Sequence, residues 1–261
     1  MLKQLVKTIG ILLLAAWPAC AVTIMEREIS CPVCGQAFYT RLDVVETQSD
    51  MRLDLKPVGV TSAPWRLPDC PKCGFVIYKI SFPKAELARC RDITASEEYQ
   101  KGLKRAAYFR AGLLYAKLGK PAFSTANIFL KASWQEESDA AALKEDLELS
   151  LKYFTARAAD ETDKTEEWEN SKLLIGELLR RLGRFEEARA HLTGLKTLKG
   201  FQNNFFAEIV EYELKLCAKA DFAPHTMEDV RDSKKPLLAR AWIQTKKFFA
   251  RLPALFSKRS E

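Results

Sequence analysis

Two copies of one short motif, Cys-Pro-x-Cys-Gly, constrain this chain more than any other feature of its sequence. The first copy begins at Cys31 and the second at Cys70, with 35 residues between Cys34 and Cys70. Proline fixes φ between the cysteines, and the glycine permits a left-handed backbone that points N–H groups at sulfur. Four such thiolates form the closed tetrahedral set of structural zinc, which leaves no position for water or substrate. The sequence therefore predicts a structural zinc site at Cys31, Cys34, Cys70 and Cys73.

Disulfide exchange is the alternative use of these cysteines. An exported protein meets oxidising conditions, in which thiols tend to become disulfides. A reactive C-x-x-C pair normally lies at the N-terminus of a helix, which lowers the pKa of its thiol. Here a glycine follows each pair and residues 75–80 are rich in strand formers, so the context favours a metal site. Cys90 and Cys217 lie on predicted helices and are interpreted as buried apolar side chains; a disulfide between them is the alternative.

The N-terminus has the pattern of an export signal. Lys3 and Lys7 precede an apolar run that is too short to span a bilayer comfortably. Small residues on both sides of Cys20 suit a signal peptidase. We therefore expect residues 1–21 to be a signal peptide that is cleaved after Ala21, and the protein to be exported, periplasmic or membrane-associated. An uncleaved anchor and a lipoprotein modified at Cys20 are the alternatives.

Hydrophobic periodicity divides the remaining chain into a short β-rich part and a longer helical part. Residues 22–92 are predicted to form a zinc-ribbon-like domain, residues 93–222 an antiparallel tetratricopeptide-like helical domain, and residues 223–261 a basic tail with an amphipathic helix. The predicted fold class is therefore α+β, mainly α. Strands are predicted at 22–29, 38–45 and 75–80, with a loop at 56–69. Helices are predicted at 83–90, 94–118, 121–135, 139–158, 165–182, 185–198, 204–219 and 236–251.

Two segments of the helical part repeat each other. Gly112–Lys120 and Gly176–Arg184 both place a glycine in mid-helix and a second glycine seven residues later, at the turn. A small residue lets paired helices approach closely while large residues fill the seam. Both mid-helix glycines are therefore expected to face a neighbouring helix, with Ile128 and Leu192 at equivalent positions in the seam. The pattern resembles the tetratricopeptide repeat, and a plain helical bundle is the alternative.

The net charge of +7 is concentrated at the two ends of the chain. Residues 228–261 contain nine Lys or Arg against four Asp or Glu. A nucleic-acid-binding protein more often has a basic face on its folded domain, so nucleic acid is not an expected partner. A basic helix with aromatic residues on its apolar side can lie on an anionic membrane, which makes residues 236–256 a candidate membrane contact. Packing of this segment against the last helices is the alternative.

Catalytic motifs are not recognisable in the sequence. The two histidines, His191 and His225, have no Ser, Asp or Cys partner in a known motif, and there is no Gly-rich phosphate loop. We therefore expect a protein-binding scaffold or adaptor without enzymatic activity, in which zinc is structural and the helices offer a groove to a protein or peptide. A thiol-disulfide redox protein that uses one C-x-x-C pair is the alternative function.

The combined pattern resembles the bacterial domain-of-unknown-function family 2225. The resemblance rests on the double Cys-Pro-x-Cys-Gly motif, on Arg52 and Asp54 between the copies and on Phe129–Trp134, and it covers residues 24–220. It implies a zinc-ribbon-like segment joined to tetratricopeptide-like helices, and it implies no activity. Members of the family often have a further cysteine between the two pairs. This sequence has none there, and its export signal and basic tail are also departures from the family pattern.

Overall fold

The computed structural model describes residues 24–45, 48–59, 63–201 and 204–236. These residues form two short antiparallel hairpins followed by a larger set of helices, which confirms the predicted α+β class with helices predominating. The predicted signal peptide and the predicted helix beyond Pro236 lie outside the described residues. Within the described ranges, no helix is long and apolar enough to cross a membrane.

The first hairpin contains the first cysteine motif, and the second hairpin lies between the two motifs in the chain. Strand β1 (Ile24–Ser30) pairs along its whole length with β2 (Ala37–Asp43), and the motif at Cys31 forms the turn between them. Strand β3 (Gln48–Met51) pairs with β4 (Pro57–Gly59), so part of the predicted loop at 56–69 is a strand.

The strand predicted at 75–80 is wrong. Val76 makes only an isolated bridge to Asp69, and the residues after it have no regular strand pairing. Phe75 and Val76 are fully buried. Their strand-forming side chains therefore reflect burial against helices, because β-propensity measures packing on a half-buried surface as much as backbone preference.

The helical part follows the predicted order closely. The helices are α1 (Lys84–Ala95), α2 (Glu97–Lys101), α3 (Ala107–Leu118), α4 (Ala122–Gln135), α5 (Ala140–Ala158), α6 (Glu166–Arg181), α7 (Phe185–Leu195), α8 (Asn204–Ala218) and α9 (Met227–Asp232). Short 3-10 segments cover Gly102–Lys104 and Lys199–Phe201. From α3 to α8 each helix packs against the next helix in the chain, as expected when short connections join antiparallel neighbours.

The region predicted as one helix over 94–118 consists of separate segments. Thr94, the first residue of that predicted helix, lies inside α1, and its hydroxyl donates to the Cys90 carbonyl at 2.6 Å. The N-cap of α2 is Ser96, whose side chain accepts the N–H of Tyr99. Ser96 directly follows the end of α1 and is the only residue between the two helices.

The close approach predicted at both mid-helix glycines is confirmed. A Cβ atom on Gly112 would come within 2.5 Å of the Phe129 ring. A Cβ atom on Gly176 would come within 2.5 Å of the Leu192 side chain. Each glycine therefore lets its helix pack closely on the next one.

The predicted position of Ile128 in the first seam is wrong by one residue. Phe129 occupies the place that Leu192 has in the second pair. The reason is the length of the connections, because α4 begins three residues after Gly119 whereas α7 begins two residues after Gly183. One extra residue rotates the following helix by about 100°, which moves the contact to the next side chain.

The buried core crosses the boundary predicted between residues 92 and 93. One apolar cluster combines Cys31, Cys70 and Phe75 with Tyr99 and with Leu114 of α3. Leu53, from the β3–β4 hairpin, belongs instead to the larger cluster formed by helices α4 to α9. Buried residues of the N-terminal region thus enter two separate apolar clusters of the helical part.

Candidate metal centre

The two Cys-Pro-x-Cys-Gly motifs have the same backbone geometry. In the first, the N–H of Cys31 donates to the Gln36 carbonyl at 2.8 Å, and the N–H of Gly35 donates to the Cys31 carbonyl at 2.9 Å. The second motif repeats both bonds, at 2.9 and 2.8 Å. Gly35 has φ 75° and Gly74 has φ 71°. These glycines occupy the left-handed region for which the sequence analysis requires them, because other residues adopt it only at a cost.

The four sulfur atoms of the motifs lie together. The Sγ atoms of Cys31 and Cys73 are 3.7 Å apart, and those of Cys34 and Cys70 are 3.5 Å apart. All four lie within 4.8 Å of one another. A tetrahedral site with Zn–S bonds of about 2.3 Å has sulfur–sulfur edges of about 3.8 Å. The set could hold a metal ion, and none of the six cysteines in the described ranges is in a disulfide.

Backbone N–H groups point at the sulfurs and change their acidity. Burial opposes ionisation of Cys34, but the N–H of Gln36 and the neighbouring thiols lower its pKa to about 7. Burial raises the pKa of Cys31, and burial also raises that of Cys73. Four thiols this close together do not all ionise near neutral pH unless a cation offsets their charge, which is what a bound divalent metal supplies.

Side chains from the helical part fix the second motif from outside. The Tyr99 hydroxyl donates to the Gly74 carbonyl at 2.9 Å, and Arg110 Nη1 donates to the same oxygen at 3.0 Å. Arg110 also forms an ion pair with Asp69 at 2.7 Å. A Cβ atom on Gly74 would lie 2.2 Å from Leu103. These supporting residues cannot be predicted from the sequence, because no local motif marks them.

The first motif has a more open environment. A Cβ atom on Gly35 would meet nothing within 4 Å. Arg91 reaches the Val33 carbonyl with a longer bond of 3.3 Å. One half of the candidate centre is therefore anchored by the helices, whereas the other half depends more on what the sulfurs bind.

The segment between the motifs is held elsewhere on the helices, by a turn at residues 52–56 that we call the clasp turn. Asp54 is 1% exposed and accepts hydrogen bonds from Arg52 at 2.5 and 3.0 Å. Arg181, at the end of α6, pairs with the same carboxylate at 3.1 Å. The N–H of Leu53 donates to the His225 carbonyl at 2.9 Å. Arg52 and Asp54, which contribute to the family resemblance, thus join the inserted segment to the helical part.

The two histidines have structural contacts. His191 Nε2 lies 2.7 Å from the Lys172 carbonyl oxygen. His225 lies 3.1 Å from Asp221 and 3.1 Å from the Tyr212 hydroxyl. The His191 contact joins α7 to α6, and the His225 contacts join α8 and the residues just after it to the segment before α9.

Comparison with known proteins identifies one family. The sequence model of a family described as an uncharacterized protein conserved in bacteria (DUF2225) matches residues 24–215 of this chain. The match begins at β1 and includes both cysteine motifs, the clasp turn and almost all of α8. No curated protein and no solved structure matches the chain.

Proposed function

We propose that this protein, which belongs to the DUF2225 family, is a protein-binding module whose N-terminal region is held in place by one structural zinc ion. The observation that carries the proposal is the convergence of four sulfurs from two matching motifs. If all four bind one ion, a tetrahedral zinc site is complete and has no open position for a substrate. Such a site stabilises the fold directly.

Zinc is favoured by the chemistry of the ligand set. Thiolates select soft or borderline ions, among which are zinc and the iron of iron–sulfur clusters. Sulfur separations of 3.5 and 3.7 Å fit the edges of a single-ion tetrahedron of about 3.8 Å. Zinc has no redox chemistry, so it suits a site whose purpose is to hold two loops together.

A surface beside the candidate centre supports a binding role. Two neighbouring grooves of about 650 and 420 Å³ share Arg66 and Leu67, and they lie where the β1–β2 hairpin meets α3 and α4. Tyr39 in one groove is 73% exposed and Trp65 in the other is 45% exposed. Tyr, Trp and Arg are the residues that most often dominate protein interfaces. The proposed partner is a protein or peptide that binds along these grooves.

Export completes the proposal. The predicted signal peptide would deliver the module to the periplasm or to a membrane surface, where a thiol site without metal would tend to oxidise. Bound zinc would keep the four thiols out of that reaction, since its ligands are already committed to the metal.

A thiol-disulfide redox role makes different predictions for the same cysteines. In a redox pair, the two cysteines of one C-x-x-C motif react with each other and a helix follows. Here the sulfur contacts of 3.5 and 3.7 Å join opposite motifs. Strand β2 follows the first motif, and the second is followed by residues without helix.

Metal analysis with a count of reactive thiols tests the proposal. We expect one zinc per chain and no rapidly reacting thiol in the loaded protein. After a chelator removes the zinc, Cys34 and Cys73 should react first, because they are only half-buried while Cys31, Cys70, Cys90 and Cys217 are buried. A metal-free protein with one readily reduced C-x-x-C disulfide, able to reduce the disulfides of insulin, would establish the redox role instead.

A further inference from the structure

A further groove lies between the β3–β4 hairpin and helices α6, α8 and α9. It has a volume of about 500 Å³, within the range of pockets that bury a ligand. Its walls are largely apolar, with Met51 and Leu55 from the hairpin, Phe205 and Phe206 from α8, and Met227 from α9. Phe205 is 56% exposed at this groove. Exposed Phe205 together with the apolar groove walls makes this surface a candidate interaction site.

The described chain ends five residues after Arg231, which lines this groove. Arg231 pairs with Asp50 of the hairpin at 3.4 Å. Lys234 forms an ion pair with Glu208 of α8. Glu208 directly precedes Ile209, which also lines the groove. The last described residues are therefore tied to two of the elements that form the groove.

We propose that this groove is the docking site of the chain's own C-terminal segment, residues 237–256, with Leu238 and Trp242 as the apolar anchors. Trp242 is six residues beyond Pro236, so it lies at most about 20 Å from that residue. On a helix, residues four apart share one face, which lets both anchors enter the groove together. A segment attached this closely has an effective concentration in the millimolar range, so a weak contact is enough to keep it bound.

The C-terminal segment is basic and apolar. It has no acidic residue between Lys234 and Ser260, and Arg240 and Lys246 flank its anchors. Asp50 and Glu208 beside the groove are already paired with Arg231 and Lys234, so apolar contact rather than charge would hold the segment in the groove. An anionic membrane would attract the same basic segment, but it would leave Phe205 and the groove uncovered. Docking in the groove would cover the apolar residues of both the segment and the groove, whereas membrane binding would cover only those of the segment.

Photo-crosslinking in the full chain tests this docking. Benzoylphenylalanine in place of Trp242 would react with nearby C–H bonds, and the groove offers Met51 and Met227 as targets. The matched control carries the same group in place of Gln244, which falls on the opposite side of a helix from Leu238 and Trp242. We expect groove peptides to be crosslinked on the order of tenfold more from position 242 than from position 244, within one chain.

A second pair of variants checks that the groove itself is responsible. Phe205→Asp should abolish the crosslink from position 242, whereas Phe222→Asp should not, because Phe222 is 64% exposed and does not line the groove. Equal crosslinking from positions 242 and 244, crosslinks only between two chains, or crosslinks only to lipid when anionic phosphatidylserine vesicles are present would each overturn the proposal. Vesicle binding without a groove crosslink would assign the segment to the membrane.

Discussion

The two places at which the N-terminal region packs on the helices are held by different forces. At the cysteine motifs, an apolar cluster around Phe75 and four converging sulfurs face α3. At the clasp turn, the buried Asp54 carboxylate binds two arginines, Arg52 and Arg181, and Leu53 enters the larger core. If the proposed zinc is bound, the first attachment depends on that ion to neutralise its thiolates, whereas the second is complete within the protein. Loss of metal should therefore loosen one attachment and spare the other.

The two attachments do not follow the predicted domain boundary. The sequence places a boundary near residue 92, but Tyr99 and Leu114, beyond that boundary, lie in the same cluster as Cys31 and Cys70. We expect the unit that depends on metal to extend through α3. The clasp turn lies within the N-terminal region of the chain, yet it should remain ordered with the later helices.

Cys34→Ser should produce the largest effect that separates the two attachments. Serine is a poor ligand for zinc, and structural zinc sites supply on the order of 10 kcal/mol of folding energy in small domains. Hydrogen exchange measured by mass spectrometry should show loss of protection in both motifs and in α1 to α3. Helices α5 to α8 and the clasp turn should keep most of their protection.

The matched control for this variant is Cys217→Ser, because Cys217 is buried in α8 and lies outside the sulfur set. It should retain zinc in full. If Cys34→Ser removes protection evenly from every helix, the chain is one cooperative unit and the comparison fails.

Asp54→Ala should weaken the second attachment, at the clasp turn, and leave zinc binding at the first attachment unchanged. Removing one member of a buried ion pair leaves charges without compensation and costs about 3–5 kcal/mol. Urea unfolding should show this loss while the zinc content stays unchanged. Glu26→Ala is the control, because the Glu26–Arg41 pair has side chains 61% and 68% exposed and such pairs contribute about 0–1 kcal/mol. Similar losses in both variants would show that the clasp turn is not energetically distinct.

Alanine substitution at a glycine between packed helices should cause a smaller loss of folding free energy than either of the preceding variants. A methyl group at Gly112 would meet three atoms of the buried Phe129 ring at 2.5–2.7 Å. We expect Gly112→Ala to lower the free energy of unfolding by about 1–3 kcal/mol through overpacking. Gly194→Ala, where nothing lies within 4 Å, should raise it by about 0.5 kcal/mol because alanine favours the helix. Thermal unfolding measures both variants. If both were stabilised or both destabilised, the close helix contact at Gly112 would be contradicted.

The features that the sequence predicts best are those with local causes. The Cys-Pro-x-Cys-Gly motifs place their glycines at positive φ and bring their sulfurs together, because proline, glycine and cysteine determine that turn almost unaided. The close helix contacts at Gly112 and Gly176 are predictable because glycine destabilises the middle of a helix and is used there when a neighbouring helix leaves no room for a side chain. In both cases the structural effect comes from the residue itself and needs no partner far along the chain.

The features that the sequence does not predict depend on partners far along the chain. The clasp turn joins Asp54 to Arg181 across 127 residues, and no local pattern marks that pair. Tyr99 and Arg110 support the Gly74 carbonyl from two different helices. The prediction of a strand at residues 75–80 is wrong for the same reason. The apolar side chains there pack on helices that are distant in the sequence and come close only in the tertiary fold.

X-ray absorption at the zinc edge of the purified protein tests the central claim most directly. The account predicts one zinc ion per chain with four sulfur neighbours at about 2.3 Å and no nitrogen or oxygen in the first coordination sphere. Cys73→Ser should eliminate that spectrum. A site with oxygen or nitrogen ligands, or a soluble folded protein that binds no zinc while its four cysteines stay reduced, would contradict it.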